Sequence, residues 1–251
     1  MQNIVIVTGA TGGIGQAIVS QFMAQGDYVY AMDLHEEAVQ QLASSYQHHH
    51  IKGLAVDVTS EEAIQTAIAQ IIQEQQRIDV VVNNAGLQYR AKVEDFPLAQ
   101  WQQLIDVMLT GPFLMTKHVF PHMKRAKYGR VINISSVHGL MATPEKAAYV
   151  AAKHGVIGLT DVTGIEGAPY GITVNAVCPG VVRTPLIEKQ LQDVTESEGI
   201  SEQEALNRIV YPKRAMARFI TAEEIANMVV YLASPQASAI TMEHIKVAGG
   251  M

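Results

Sequence analysis

Tyr149 and Lys153 stand four residues apart in a stretch of helical spacing, which puts a phenol and an ammonium on one helix face. A free phenol titrates near ~10, too high for a base at neutral pH. An ammonium about 5 Å away, at an effective dielectric of ~20, contributes roughly 3 kcal/mol, or about 2–2.5 pKa units. Lys153 alone is therefore expected to bring Tyr149 to about 7–8, the range of a working general base. Ser135-Ser136 closes the β-branched run Arg130–Ile134 just upstream of that helix.

A second group of residues could hold phosphate. The run Ile4–Thr8 is followed by Gly9-Ala10-Thr11-Gly12-Gly13-Ile14-Gly15 and then by a helical stretch. Gly9 permits the tight turn, Gly13 lets backbone approach a pyrophosphate, and Gly15 allows close helix-to-strand packing. The helix N-terminus offers free N–H groups and about half a positive charge. Asp33 ends the second strand, where a carboxylate accepts hydrogen bonds from the adenosine ribose hydroxyls and repels a 2′-phosphate. No Arg or Lys lies in the glycine loop or at Leu34. NAD is therefore the expected cofactor; Asp33 can cap the following helix as well.

These groups need a frame. β-Branched runs at Ile4–Thr8, Tyr28–Ala31, Ile51–Val56, Val80–Val82, Arg130–Ile134, Thr173–Val177 and His244–Val247 alternate with helical spacing at Ile14–Gln25, Glu61–Gln75, Trp101–Met123, Ala147–Gly167 and Ala222–Ala233. Near-continuously apolar strands separated by helices predict an α/β fold: a doubly wound, Rossmann-like parallel sheet with helices on both faces. No linker or repeat divides the 251 residues, so 1–251 is read as one domain. About residues 186–218, acidic and then basic, fall outside the alternation and read as a small helical lid insertion, a solvated helical pair being the plainer alternative.

Composition excludes several function classes. With 18 basic against 24 acidic residues, net −6, the chain lacks the positive excess that nucleic acid or an anionic membrane requires. No apolar run approaches the ~18–20 residues of a membrane span. The N-terminus has no secretory n-region, and the single Cys178 suits a reducing compartment, so a cytoplasmic protein is expected. His48-His49-His50 precedes a strand and reads as an exposed turn rather than a metal site.

Thr8-Gly9-x-x-x-Gly13-x-Gly15, Asn83-Asn84-Ala85-Gly86, Ser136, Tyr149-x-x-x-Lys153 and Pro179-Gly180 before Thr184 together resemble the short-chain dehydrogenases/reductases over essentially the whole chain. The resemblance implies hydride transfer between nicotinamide and a secondary alcohol or ketone. It gives Tyr149 the base, Ser136 the substrate oxygen, and Lys153 a further hydrogen bond to the nicotinamide ribose. For the cofactor it implies contacts from Gly9, Thr11, Gly13, Ile14 and Asp33, from Asp57 and Val58 at the adenine, and from Asn84, Ala85 and Gly86 at the ribose. Gly180, Val182 and Thr184 would grip the nicotinamide amide and pyrophosphate. Asn83 is read as structural, and a homotetramer is implied.

Gln88, His138, Lys146 and Gln190 form a polar set near the pair, and converging cationic and amide donors suit a small hydroxy or keto carboxylate. Around them, Leu87-Gln88, Ser136-Val137-His138-Gly139-Leu140, Ala148-Tyr149 to Gly155 and Val182-Arg183-Thr184-Pro185-Leu186 look like bacterial D-3-hydroxybutyrate dehydrogenases. In that group the residues matching Gln88, His138, Lys146 and Gln190 bind the substrate carboxylate. The alternatives are a reductase of another β-oxo compound, such as an acyl thioester, and a non-catalytic NAD-binding regulatory protein.

The chain departs from the family at Ala248, where members commonly have Asp, at Val181, where some relatives have Trp, and at Met108. Met108 stands where relatives carry an Asn thought to anchor a proton-relay water, and a thioether cannot hold water in the same way. Met108→Asn is expected to raise turnover in a steady-state assay; unchanged or reduced turnover removes the relay account of this position.

Overall fold

The computed structural model describes residues 2–46, 50–183, 185–209, 215–216 and 218–251. His48, His49, Thr184 and part of the expected lid lie outside the described residues. Seven strands form: β1 (Ile4–Thr8), β2 (Tyr28–Asp33), β3 (Ile51–Ala55), β4 (Val80–Asn83), β5 (Gly129–Ile134), β6 (Ile172–Pro179) and β7 (His244–Val247). All pair in parallel in the order β3-β2-β1-β4-β5-β6-β7. β1, β4, β5 and β6 are buried along their whole length. Their unbroken apolar character follows from having both faces covered.

The pleat sorts each strand into two cores. Val5, Val7, Val80, Val82, Ile132 and Ile134 meet Ile18, Val19 and Phe22 of α1 (Gly13–Ala24), together with Ile225, Val229 and Leu232 of the C-terminal helix Ala222–Ala233. Ile4, Ile6, Val81, Val131 and Val174 meet the opposite layer, Ile64, Ile68 and Ile71 of Glu61–Gln75 and Met115, Val119 and Met123 of Gly111–Ala126. Each such side chain contributes about 1.5–3 kcal/mol on full burial. Counting α2 (Glu36–Ser44), these layer helices are α1, α2, α3 (Glu61–Gln75), α5 (Gly111–Ala126) and α9 (Ala222–Ala233). Periodicity does not single out α2, because Val39 is its one buried position.

Helix starts carry their expected chemistry. Ser60 Oγ accepts from Ala63 N at the head of α3, and Thr221 and Glu224 form a reciprocal capping box on α9. The expected helix Trp101–Met123 is a longer, interrupted one. α4 (Leu98–Ile105) runs into a π-helical turn, Asp106–Thr110, and then into α5. α6 (Ala147–Gly167) follows β5. In the expected lid, α7 (Pro185–Glu198) and α8 (Glu202–Ile209) join through buried Leu191 and Ala205, with Val181 and Phe219 packed against them.

Gly9 adopts φ +61°, and a Cβ there would lie 2.7 Å from Ala85 Cα. A Cβ at Gly15 would run into the Gly9 carbonyl oxygen and sit 2.8 Å from Ala10 Cα. Both obstacles are backbone and cannot swing aside. Gly15→Ala is expected to lower the unfolding free energy by about 1–3 kcal/mol; urea titration with an unchanged midpoint would show that α1 can withdraw from β1.

Candidate active site

The strand order reverses on either side of β1, whose neighbours are β2 and β4. Such a switch point opens a crevice at the carboxyl ends of the strands. The sequence-predicted residues gather along that edge: Gly9–Ile14 after β1, Asp33 at the end of β2, Asn84–Gly86 after β4, Ser136 after β5 and Gly180 after β6. Asp57 and Val58 follow β3. α1 starts with no side-chain cap and no acidic residue in its first turn. Its N-terminal amides and positive dipole end therefore suit an anion. With the left-handed turn at Gly9 and the Gly9–Gly15 close approach, these residues fit a dinucleotide pyrophosphate.

The cradle is internally braced. Thr11 donates to Asp33 Oδ2 through both its amide (3.0 Å) and its hydroxyl (2.6 Å), while Leu34 N donates to Asp33 Oδ1 (2.8 Å). Asn84 Nδ2 donates to the carbonyls of Thr8 (3.1 Å) and Gly9 (3.0 Å), so its side chain holds the turn. The amides of Asn84 and Ala85 donate to Thr8 Oγ1. Asp57 Oδ1 accepts from Thr59 N and Oγ1, and Val58 packs against the position of Gly111. Gly180 N donates to Val247 O, and a Cβ at Gly180 would stand 2.9 Å from Ala248 Cα. Val182 is buried and bridges to Ile220.

Helix α6 brings Tyr149 and Lys153 beside Ser136, as the spacing requires. Lys153 Nζ lies 5.7 Å from the Tyr149 ring centroid and donates to Ile134 O at 2.7 Å. Ser136 Oγ accepts from His138 N at 3.1 Å. One expectation is corrected here. Burial pushes the Tyr149 hydroxyl above its ordinary value, with a hydrogen bond to Ser136 opposing the rise. The same burial lowers Lys153 to about 8. Desolvation penalises both charged forms, so the ammonium does not bring the phenol to neutrality by itself. Spacing reports the attraction between the two groups but not the burial that opposes it.

Two of the four expected carboxylate ligands stand against the Tyr149 ring. Lys146 Nζ lies 5.9 Å from the Tyr149 ring centroid, and the His138 ring meets that ring edge-on at 6.2 Å. Gln88 Nε2 is buried without a hydrogen-bond partner among the described residues, and His138 Nδ1 is buried with the Met141 backbone as its polar neighbour. An orphaned buried polar atom of this kind calls for a polar ligand. Burial, then the Lys146 charge, lower His138 to about 4, so its imidazole is neutral at physiological pH. Burial and then Arg90 lower Lys146. Thr184 and the Gln190 side chain lie outside the described residues.

Asn133, Thr160 and Ser135 position the site without a sequence pattern that singles them out. Asn83 bonds the neighbouring strand as expected, its Nδ2 donating to Asn133 Oδ1 (2.8 Å); Asn133 Nδ2 then donates to Thr160 Oγ1 (2.9 Å), tying β4 and β5 to α6. Ser135 Oγ donates to Lys153 O at 3.0 Å. Buried Asn and Ser inside apolar strands were the available signal. Met108, in the π-helical turn, is buried with Leu104, Ala148 and Ala152 in the cluster that Tyr149 packs against. Asp106 turns to Gln102 Nε2 instead.

The buried ammonium should be costly. Its folded value of about 8 lies below the ordinary 10.5, a destabilisation of about 3 kcal/mol. Because the folded value is depressed, the unfolded chain holds this proton more tightly. The cost is full below about pH 8 and fades toward pH 10.5. Lys153→Met, which loses the Ile134 bond worth about 1 kcal/mol, is expected to be stabilised at pH 7, the gain shrinking at pH 10. Urea unfolding at both pH values checks this, and a variant less stable at pH 7 overturns it.

The short chain dehydrogenase family model matches residues 3–195. An uncharacterized oxidoreductase of Bacillus subtilis (strain 168), YxjF, is 43% identical over 251 residues, covering 99% of this chain and 98% of that protein. A D-beta-hydroxybutyrate dehydrogenase of Rhizobium meliloti (strain 1021) is 38% identical, covering 100% and 98%. A variant actinorhodin polyketide ketoreductase solved with NADPH superposes with a TM-score of 0.92 at 33% identity, covering 99% of this chain and 96% of that one. The chain therefore belongs to the short chain dehydrogenase family, oxidoreductases that bind a nicotinamide cofactor.

Proposed function

We propose that this protein oxidises (R)-3-hydroxybutyrate to acetoacetate with NAD, and runs the reverse reduction. The observation that carries the reading is the pair of polar groups against Tyr149, the His138 imidazole and the Lys146 ammonium, together with the orphaned Gln88 Nε2 on the loop after β4. A neutral ketone would leave these donors unpaired, whereas a carboxylate accepts from all of them. The likeness to a D-beta-hydroxybutyrate dehydrogenase supports the same substrate.

In this reading the substrate carboxylate lies against Gln88, His138 and Lys146, with Gln190 from α7 as the fourth ligand. That anchor turns the hydroxyl toward Ser136 and Tyr149. Ser136 Oγ holds the substrate oxygen, and the Tyr149 hydroxyl takes its proton in oxidation or returns it in reduction. Bound nicotinamide supplies the hydride acceptor. Because burial holds Tyr149 above its ordinary value, the phenol is protonated at neutral pH and poised as an acid for reduction; oxidation is favoured as pH rises. Lys153 braces β5 and keeps a weakly held proton near the phenol.

Asp33 supports NAD. Its carboxylate stands at the end of β2 with Leu34 and His35 following, so neither an Arg nor a Lys directly follows the strand to hold a 2′-phosphate. The cofactor sites are proposed at Gly9, Thr11, Gly13, Ile14, Asp33, Asp57, Val58, Asn84, Ala85, Gly86, Tyr149, Lys153, Gly180, Val182 and Thr184. Exposed Phe113 on α5 and Val162 and Ile165 on α6 support association through those helices in a cytoplasmic homotetramer. A second reading, reduction of a β-oxo thioester with NADPH, draws support from the ketoreductase likeness.

The test is NADH formation from (R)-3-hydroxybutyrate, compared with the (S)-isomer, NADP and 3-hydroxyacyl thioesters. Turnover of the (R)-acid with NAD and little with NADP is expected; preference for a thioester with NADP would replace the reading with its alternative. NAD binding without turnover would point to a regulatory protein. Tyr149→Phe should lower kcat by about 10²–10⁴-fold. Retained turnover would mean that another group accepts the proton.

A further inference from the structure

Gln88 and Lys146, two of the proposed carboxylate ligands, lie on two separate loops, one after β4 and one before α6. Among the described residues, these loops meet at Arg90–Ala91 and Glu145–Lys146. Arg90 Nη2 donates to Glu145 Oε2 at 2.6 Å. One residue on, Ala91 N donates to Glu145 O at 3.0 Å, and Ala91 pairs with Lys146 in an isolated parallel bridge. Glu145 holds φ +65°. The other left-handed non-glycine residues include Gln76 and Lys127, which end α3 and α5, a common use of that conformation. Glu145 instead precedes a helix whose N-cap is Lys146, where no helix terminus requires it. A side chain in that region is held there by its surroundings. The ion pair is about half exposed, so it adds little to global stability. Its consequence is geometric.

We propose that Arg90 and Glu145 are positioning residues for substrate recognition: a clamp that fixes the separation between Gln88, two residues from Arg90, and Lys146, next to Glu145. The proposal rests on the carboxylate reading above. The clamp keeps the backbone turn at Glu145 from relaxing, and so holds the Lys146 ammonium over the Tyr149 ring rather than out in solvent. Recognition of a short acid then depends on a contact that touches neither substrate nor cofactor. Longer or bulkier acids would be admitted when the two loops come apart.

Opposite charges make the clamp separable from a simple field effect. If Arg90 only added positive potential, its loss would weaken carboxylate binding and the loss of Glu145 would strengthen it. A clamp predicts the same sign for both. Arg90→Ala and Glu145→Ala should each raise KM for (R)-3-hydroxybutyrate roughly 3–10-fold with kcat within about twofold. The double variant should be no worse than either single one. KM for methyl (R)-3-hydroxybutanoate, which lacks the charge, should move little, and the Kd for NADH, read by fluorescence, should stay within about twofold and report an intact fold. Arg90→Gln and Glu145→Gln, which retain bulk, carry the same expectation should the alanine variants not accumulate. A KM that falls in Glu145→Ala, or additive effects in the double variant, overturns the clamp. If Lys146→Ala raises KM while the Arg90 and Glu145 variants leave it unchanged, the clamp fails and the carboxylate reading stands. A wild-type enzyme indifferent to the acid overturns both.

Discussion

At the end of β5, one residue of helix α6 makes two attachments. The Lys153 ammonium donates to Ile134 O, and the Lys153 carbonyl accepts from Ser135 Oγ. Everything proposed for the site depends on that double attachment. It sets the height of Tyr149 above the strand ends and puts Ser136, next along the chain from Ser135, within reach of the phenol. Gly139 permits it, because a Cβ there would lie 2.7 Å from Lys153 O. The ammonium is buried in order to make this joint, and burial holds its proton at about 8. A residue well placed for chemistry is thus also a strained part of the frame.

The second constraint is the sheet. Parallel pairing with reversal at β1 delivers the ends of six strands to one edge, and the alternating cores above and below leave no freedom of register. The glycine cradle, Asp33, the Asn84 loop and Ser136 come from distant parts of the chain, yet arrive together because each directly follows a strand. Local chemistry is then layered on: Asn84 spans the turn after β1, and Asn133 carries the strand layer into α6.

Much of this was legible in the sequence. The strands stood out as β-branched runs because both their faces are buried, and Gly9, Gly15 and the Tyr149–Lys153 spacing carry constraints that few other residues meet. The failures share a physical cause. α2 has one buried position and so no periodic signature. The π-helical turn inside Trp101–Met123 leaves the hydrophobic pattern intact while shifting its phase. The acidity of Tyr149 was misjudged because desolvation depends on packing, which spacing does not report. The Arg90–Glu145 contact joins residues far apart in sequence and has no local pattern at all.

Asp33 illustrates how tightly recognition and scaffold are joined. One of its carboxylate oxygens already receives two donors from Thr11, inside the phosphate turn, and the other receives the Leu34 amide. For an enzyme that uses NAD, as proposed, a change to a 2′-phosphorylated dinucleotide is therefore not a one-residue exchange. Removing the acid strips the turn of its brace at the moment a bulkier, more highly charged guest is introduced. A workable redesign would install a replacement anchor for Thr11 together with the new cation, and libraries that vary the two positions jointly should reach solutions that stepwise substitution misses.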